Sequence, residues 1–293
     1  MMLKKILSLI LTFSSVVLFA QETTIDSLKI KPTIYLVGAV HRMHFNPEDN
    51  YTINDLLEQV HKLKPDVVCG EIAPEAFNQL MEGYFPPEAA ALAEMADELH
   101  YRFVPADWRL DYATQFLIAN NNLPDSVQQL RTALFSNLFA RIKLSNSVSL
   151  YDDLHQEATL ADIDSLFEKI IRPNPLAEIA SGSWHERNRR IVEQGLMAAE
   201  NAHTIVFVFG LSHLPQLQRE LKGLGFDAQI PERLFVPGHN FKLSETVLNR
   251  WKRNLGNLKF ISDNKSSTTY DNYQKVINSN RIKDLEEALQ KSQ

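Results

Sequence analysis

The sequence predicts an α/β fold with a central, mainly parallel sheet of about four to five strands, flanked by helices, with a helical insertion in the middle. Two unbroken apolar runs, at the starts of the segments 33–44 and 204–213, have the composition of strands that are covered on both faces. The first run is followed by an amphipathic helix and a second apolar run, which together make a strand–helix–strand unit of about forty residues. Such units are right-handed with parallel strands, so they indicate a parallel sheet.

The helix of this first unit is predicted over Thr52–Leu63, where apolar residues recur at three- and four-residue steps. Pro65 ends the helix and leads into the second strand, Asp66–Glu71. The last residue of this strand, a glutamate, is therefore expected where the chain leaves the sheet.

The rest of the chain alternates between helical and extended patterns. The later elements are predicted, in chain order, as helix Pro86–Leu99, strand Tyr101–Pro105, helix 111–120, an amphipathic helical insertion at about 124–172, helix Trp184–Asn201, strand Thr204–Phe209, helix Leu214–Leu221 and a last strand or exit segment, Phe226–Pro231. The insertion has an apolar stripe and no obvious active-site residue, so it is interpreted as core packing. Beyond about residue 262 the chain is polar, and a loosely packed tail with a terminal helix at Ile282–Gln290 is expected.

The first 20 residues have the layout of a secretory signal peptide. Lys4 and Lys5 form a positively charged start, an apolar stretch follows, and Ala20 precedes the expected cleavage point. The alternative is a membrane anchor, but an apolar stretch of about 14 residues is too short to span a bilayer comfortably. The domain prediction is a signal peptide at 1–20, a leader at 21–32, an α/β domain at 33–240 and a polar C-terminal extension at 241–293. Export to the periplasm or beyond is expected, with no stable membrane anchor after cleavage.

Composition narrows the classes of function. The formal net charge of −6 argues against a nucleic-acid partner, which requires a basic surface. The only cysteine, Cys69, lies inside an apolar run and is expected to be inert core, so an exported chain of this composition has no intrachain disulfide. The fold must depend on its hydrophobic core, and about 270 mature residues are enough to bury a large one.

Each of the two apolar runs ends in the same pattern, Gly-x-x-His. The first is Gly38–His41 and the second is Gly210–His213. Ligands of open α/β sheets bind just beyond the carboxyl ends of the strands, where a glycine lets the chain turn and leaves room for a ligand. An imidazole at this position can transfer protons near neutral pH or bind a metal ion. The alternative is two ordinary strand ends whose histidines bond to the backbone.

Other polar residues are expected at the same edge of the sheet. They follow the remaining strands or lie on a nearby helix: His44, Glu71, Asp107, Arg187 and Asn188. Most of them also have a purely structural interpretation. Glu71 can pair with an arginine or cap a helix, Asp107 can be an N-cap, and Arg187 can belong to a solvated helix face. His44 is either a further ligand or merely exposed.

Two chemistries suit these residues. In the first, His41, Glu71 and His213 bind a divalent metal ion, Zn, Mn or Co, which acidifies a bound water and generates a hydroxide nucleophile. In the second, no metal is needed, because His41 is a general base and Glu71 orients it. In both, Arg187 and Asn188 orient the substrate or stabilise developing negative charge.

The order of these motifs resembles the TraB/PrgY/GumN/TIKI superfamily, which is linked to erythromycin-esterase-like and ChaN-like proteins. The resemblance extends from about Thr33 to Ile230 and rests on the short islands GAVH, GE, ADW, ERN and GLSHL. It implies an α/β fold with the site on one sheet edge, hydrolytic activity, and metal-dependent proteolysis of the kind attributed to the TIKI branch. Residue by residue, the family's motif positions fall on Gly38, His41, Glu71, Asp107, Arg187, Asn188, Gly210 and His213.

The chain departs from the family pattern at three positions. Ala39 stands where a small hydroxylated residue is common, and Arg42 stands where a small or apolar residue usually follows the first histidine. Trp108 occupies a place where the TraB branch usually has arginine. These differences concern the substrate and the need for a metal rather than the fold.

The sequence thus predicts an exported hydrolase, either a metal-assisted peptidase or a related amide or ester hydrolase. Its predicted catalytic residues are Glu71, His41, Arg187, Asn188 and Asp107. Arg187 and Asn188 are also the predicted substrate-binding residues, and the expected substrate is a small molecule or a peptide. Two alternatives stay open: a metal-free, esterase-like hydrolase, and a non-catalytic member of the same superfamily that binds or sequesters a ligand.

Overall fold

The computed structural model describes residues 31–110, 147–238, 242–268 and 281–292, together with six isolated helical positions between 125 and 140. At its centre is a four-stranded parallel sheet with the strand order β1-β4-β2-β3. The strands are β1 Thr33–Ala39, β2 Val67–Gly70, β3 Arg102–Pro105 and β4 Thr204–Gly210. Helices pack on the sheet, and the buried apolar side chains form two main clusters to which the strands contribute. The predicted α/β fold class is confirmed.

Helices account for most of the remaining described residues. The α-helices are α1 Ile53–Lys62, α2 Pro87–Glu94, α3 Leu150–Leu154, α4 Glu157–Leu166, α5 Pro175–Ala180, α6 Trp184–Ala198, α7 Leu214–Gly223, α8 Glu245–Asp263 and α9 Ile282–Lys291. Short 3-10 helices lie at His41–Phe45, Pro47–Asp49, Leu80–Tyr84 and Leu211–His213, and a π-helical turn lies at Phe167–Ile171. None of the helices in these described segments is both long enough and apolar enough to cross a membrane.

The sheet topology brings the two Gly-x-x-His motifs together. Although β4 is the last of the four strands in the sequence, it lies between β1 and β2. It pairs with β1 in parallel, and Ala39 lies opposite Gly210 at the end of the pairing. On the other side of β4, Gly70 of β2 lies opposite Val208. The residues that follow these three strands therefore emerge side by side at one edge of the sheet.

Helix α1 shows how the local sequence determines an element. Thr52 is its N-cap: the Thr52 hydroxyl accepts the Asp55 N–H at 3.3 Å, and the Asp55 carboxylate accepts the Thr52 N–H at 2.7 Å. This reciprocal capping box satisfies two donors that the first turn leaves without helical partners. Ile53, Leu56 and Val60 form the buried face. The helix lies within one residue of each predicted end.

The predicted last strand, Phe226–Pro231, is reduced to a single bridge on the outer edge of β1. Leu36 donates its N–H to the Gln229 carbonyl at 2.9 Å, and Gln229 donates its N–H to the Ile34 carbonyl at 2.9 Å. The next donor in this register would be Pro231, which has no N–H group. The ladder therefore stops there, and the sheet of the described residues has four strands.

Parts of the predicted organisation lie outside the described residues. These are the signal peptide at 1–20, most of the leader at 21–32, the helix at 111–120 and nearly all of the insertion before residue 147. The described part of the insertion is mainly helical, and it buries Leu154 and Ile163.

The described C-terminal helices pack against the domain, and the terminal helix expected at Ile282–Gln290 is present as α9, Ile282–Lys291. Helix α8 buries Trp251 and Leu258, and α9 buries Leu285. The Trp251 indole N–H donates to the Pro87 carbonyl at 3.1 Å, which ties α8 to the start of α2. Both helices are polar on average and apolar on one face, so the overall composition did not reveal their packing.

Two histidines hold the carboxyl end of β1. His44 accepts the Val40 N–H at Nε2, 3.0 Å away, and its Nδ1 donates to the Tyr51 carbonyl at 2.8 Å. His155 accepts the Gly38 N–H at Nε2, 2.8 Å away, and its Nδ1 donates to a backbone carbonyl of α3 at 2.9 Å. Each ring accepts one hydrogen bond and donates one, so both are neutral, and burial lowers the pKa of each to about 4. His44 is therefore a buried structural residue, neither exposed nor a ligand of the site.

Acidification should weaken the fold through these two rings. We expect the free energy of unfolding to fall as the pH is lowered from about 6.5 to about 4, because in this range the unfolded chain binds more protons than the folded one. Urea denaturation at about pH 7.5 and about pH 5 measures the difference. Both His155→Gln and His44→Gln should make it smaller, whereas His61→Gln, at an exposed histidine of α1, should leave it unchanged. An unaltered pH dependence in both of the first two variants would contradict this assignment.

Candidate functional site

Glu71 joins the ends of β2 and β4. It follows β2 directly and is 5% exposed. Its Oε2 accepts the backbone N–H of Gly210, the last residue of β4, at 2.7 Å. Its Oε1 accepts hydrogen bonds from Nη2 of Arg187 at 2.9 Å and from Nη2 of Arg109 at 3.2 Å. One carboxylate thus binds a peptide group and two guanidinium groups.

Asp107 completes an ion-pair network with the same two arginines. It lies just after β3 and is fully buried. Arg187 binds it with two hydrogen bonds, from Nε at 2.8 Å and from Nη2 at 2.9 Å, and Nε of Arg109 reaches it at 2.6 Å. The charges of Asp107 and Glu71 are balanced by those of the two guanidinium groups. Such pairing is what allows this many charges to be buried together.

The surroundings keep Glu71 ionised. Burial alone would raise its pKa, but the positive charges around it, that of His41 first, outweigh burial and hold the pKa well below its ordinary range. Glu71 is therefore a poor proton acceptor at neutral pH and acts as a fixed negative charge.

His41 is the most exposed of the site side chains, at 42%, and it has a strained backbone. Its φ of 52° lies in the left-handed region, which is uncommon for a residue other than glycine. Its Nδ1 lies 2.6 Å from Oε1 of Glu88, in the first turn of α2. Burial of the ring lowers the pKa of His41, but the charge and hydrogen bond of Glu88, with the charge of Glu71, outweigh this and raise it above the ordinary value. The hydrogen-bonding partner of His41 is thus Glu88, where the sequence-based hypothesis had named Glu71.

His41 and Glu71 pack closely on the bare backbone of Gly210. A Cβ atom at position 210 would lie 2.8 Å from Nε2 of His41 and 3.1 Å from Oε2 of Glu71. His213 approaches the same carboxylate, with its Nε2 3.9 Å from Oε1 of Glu71. A separation of this size between two acceptors suits a bridging water or a hydrogen-bond donor of a bound molecule.

His213 is buried and is held through its Nδ1. Nδ1 donates to Oδ1 of Asn188 at 2.7 Å, and the Asn188 amide in turn donates to the Trp184 carbonyl at 2.7 Å, which fixes its orientation. The Trp184 ring lies 4.3 Å from the imidazole. Burial, followed by the charge of Arg187, lowers the pKa of His213 well below its ordinary value. His213 is therefore neutral, and its Nε2 is a hydrogen-bond acceptor beside Glu71.

The structure brings the sequence-predicted residues together. Five of them form one network, Glu71, Asp107, Arg187, Asn188 and His213, and His41 lies beside it, close to Gly210. Arg187 is 6% exposed and Asn188 is fully buried, and both bond to other residues of the site. Their contact with a substrate stays a prediction. The bonds that they make in the structure hold Glu71, Asp107 and His213 in place.

The sequence pattern does not identify two residues of the site, Arg109 and Glu88. Arg109 stands two positions after Asp107, so the segment ADWR contained a usable signal, an arginine displaced by one position from the one expected in place of Trp108. Glu88 lies in an alanine-rich segment whose early acids are already explained by the helix N-terminus. Nothing in the local sequence relates it to His41.

The set His41, Glu71 and His213 does not fit a divalent metal ion in this arrangement. The oxygens of Glu71 bind the Gly210 N–H and two guanidinium groups, whose positive charges oppose a cation at the same carboxylate. Over the described parts of the chain, no group of three or more His, Cys, Asp or Glu side chains could hold a metal ion. Ligation of Zn, Mn or Co stays a prediction of the motif resemblance.

The arrangement suits proton transfer next to fixed charges. His41 is accessible and has a strengthened basicity, and Glu71 and His213 offer acceptors beside it. The side chain of Arg109 is 20% exposed, compared with 7% for the side chain of Arg187, so Arg109 is the guanidinium that a bound molecule reaches first. A guanidinium in this position can stabilise negative charge that develops on a substrate oxygen.

The fold and the site define an α/β protein with two histidines and a carboxylate–guanidinium network at the carboxyl edge of a parallel sheet. Comparisons with protein-family models, with curated proteins and with solved structures give no match for this chain. The TraB/PrgY/GumN/TIKI resemblance therefore stays a prediction from motif order, and the geometry of the site is the main guide to function.

Gly210→Ala should destabilise the protein, because the added methyl group would press on the His41 ring, which Glu88 holds in place. We expect the free energy of unfolding to fall by about 1–3 kcal/mol, as at other overpacked sites. Gly256→Ala in α8 is the matched control. No neighbouring atom lies within 4 Å of its new Cβ, so the stability should rise by about 0.5–1 kcal/mol. Urea denaturation measures both changes, and a stabilising Gly210→Ala would show that His41 and Glu71 do not confine this position.

Proposed function

We propose that this protein is an exported hydrolase of the TraB/PrgY/GumN/TIKI type, which cleaves an ester or amide bond in a small molecule or a peptide. The observation that supports the proposal best is the placement of Nε2 of His41 and Oε2 of Glu71 against the same residue, Gly210. A proton acceptor close to a fixed negative charge is what the activation of a water molecule requires. The order of the motifs gives separate support from the sequence.

In the proposed reaction, a water molecule binds at Nε2 of the accessible His41 ring. Nε2 of His41 removes one of its protons while the water oxygen attacks the carbonyl carbon of the substrate. Glu71 stays ionised, orients the water and stabilises the positively charged imidazole. Arg109 stabilises the oxyanion of the tetrahedral intermediate. His41 then gives the proton to the leaving alcohol or amine as the C–O or C–N bond breaks, which leaves a carboxylic acid as the second product.

Export is part of the proposal because of the signal-peptide pattern of residues 1–20. A substrate in the periplasm or outside the cell, a small molecule or a peptide, follows from this location. Nucleic acid is not among the expected partners of a chain with a formal net charge of −6.

His41→Ala and Glu71→Gln should each lower kcat at least about 100-fold, which is the contribution of a positioned acid–base group. The assay uses the purified protein with p-nitrophenyl esters and with fluorogenic peptides. His61→Ala, at an exposed histidine of α1, is the control and should keep wild-type activity. If no substrate is cleaved and a ligand binds tightly even in Glu71→Gln, the protein is a sequestering protein rather than a hydrolase.

A chelator should leave the hydrolytic activity unchanged, because the proposed nucleophile is a water that His41 activates. Rates are measured before and after treatment with EDTA, and again after the addition of Mn²⁺, Co²⁺ or Zn²⁺. Loss of activity with EDTA and recovery with one of these ions would overturn the metal-free mechanism. That result would favour the metal-assisted peptidase that the motif resemblance implies.

A further inference from the structure

Glu88 is a buried carboxylate in the first turn of α2, and the motif order does not include it. Its side chain is 1% exposed, and its Oε1 lies 2.6 Å from Nδ1 of His41. We propose that Glu88 is the positioning residue of the site, which binds the Nδ1–H of His41 and directs Nε2 toward Gly210 and Glu71. The inference rests on the proposed function only for the reaction that His41 then performs.

The chemistry of the pair determines which ring nitrogen faces the substrate. A carboxylate can only accept hydrogen bonds, so Nδ1 of His41 carries a proton. In the neutral ring, Nε2 is then an acceptor with a lone pair. Nε2 is also the His41 atom that lies 2.8 Å from the Cβ position of Gly210. Glu88 therefore lies at one ring nitrogen of His41, and Gly210 lies near the other.

The burial of Glu88 is not explained by helix stability. An acidic residue in the first turn stabilises a helix through its dipole, but an exposed carboxylate serves that purpose equally well. Burial of an ionised carboxylate is costly unless a partner compensates for the lost water. Within the described residues, Oε2 of Glu88 has no hydrogen-bond partner, and Oε1 bonds to His41. The contact with His41 is therefore the feature that accounts for a carboxylate at this position.

The backbone of His41 is a separate observation that leads to the same conclusion. Its φ of 52° is strained for a histidine, and strain of this kind persists where surrounding contacts over-determine the conformation. Val40, the preceding residue, is held by the His44 ring, and the His41 imidazole is held by Glu88. Backbone and ring are thus fixed from two directions, as a proton acceptor must be to meet a bound water.

His213 provides an internal comparison. It is also held through Nδ1, but its partner is the neutral amide oxygen of Asn188, at 2.7 Å. Of the two imidazoles, only that of His41 binds a carboxylate through Nδ1. A carboxylate at this nitrogen stabilises the positive ring that forms during proton transfer. The two Gly-x-x-His motifs therefore have unequal roles: His41 exchanges the proton, and His213 is a neutral acceptor that helps to hold the water.

Substitutions of Glu88 test this role by separating kcat from KM. Glu88→Gln removes the charge with little change in size, and kcat for p-nitrophenyl ester hydrolysis should fall about 10- to 100-fold while KM stays within about twofold. Glu88→Asp keeps the carboxylate and should recover part of the lost kcat. Glu98→Gln, at an exposed glutamate just after α2, is the matched control, with wild-type kcat expected.

A second measurement does not depend on turnover. ¹⁵N NMR of the His41 ring, at a pH where the ring is neutral, reports which nitrogen carries the proton. We expect Nδ1–H in the wild type and the loss of this preference in Glu88→Gln. A wild-type ring protonated at Nε2, or a folded Glu88→Gln with wild-type kcat, overturns the proposal. Nδ1–H in a protein that hydrolyses nothing would refute the proposed function and leave the positioning role in place.

Discussion

The site depends on the hydrogen bonds and ion pairs of the buried Glu71 carboxylate. It connects β2 with the Gly210 peptide of β4, with α6 through Arg187 and with the segment after β3 through Arg109. Without its charge, two guanidinium groups would share the single carboxylate of Asp107 in a water-poor place, and an uncompensated buried charge is strongly destabilising. The same bonds that hold the strand ends together thus fix the electrostatics of the site.

The position of β4 between β1 and β2 turns this local network into a site. It places Gly210 next to the end of β1, where His41 and Glu71 pack against its backbone. The charges of the network cancel, with two carboxylates against two guanidinium groups. His41 is then the accessible group with a raised pKa in an otherwise balanced environment.

The fold class and the meeting of the strand ends were predictable, because buried parallel strands have unbroken apolar sequences and end at one edge of the sheet. The partners of the histidines were not. Glu88 reaches His41 because of how α2 packs over the loop after β1. Asn188 binds Nδ1 of His213, which is not the ring nitrogen that faces Glu71. Both facts depend on tertiary packing, which periodicity does not contain. Pro231 did contain the reason why the fifth strand fails, since proline cannot continue a ladder.

Helix α8 supports the His41–Glu88 pair through its contacts with α2. Trp251 of α8 donates to the carbonyl of Pro87, the residue just before Glu88, and Arg250 binds Glu94 at the opposite end of α2 at 2.6 Å. Helix α8 thus binds both ends of α2. By composition alone, α8 would be assigned to a polar C-terminal extension. A shortened chain that stops at the predicted domain boundary, residue 240, would lose this clamp. It would keep every residue of the motifs. The Glu88 carboxylate, which binds His41, would however lose the support that α8 gives to α2.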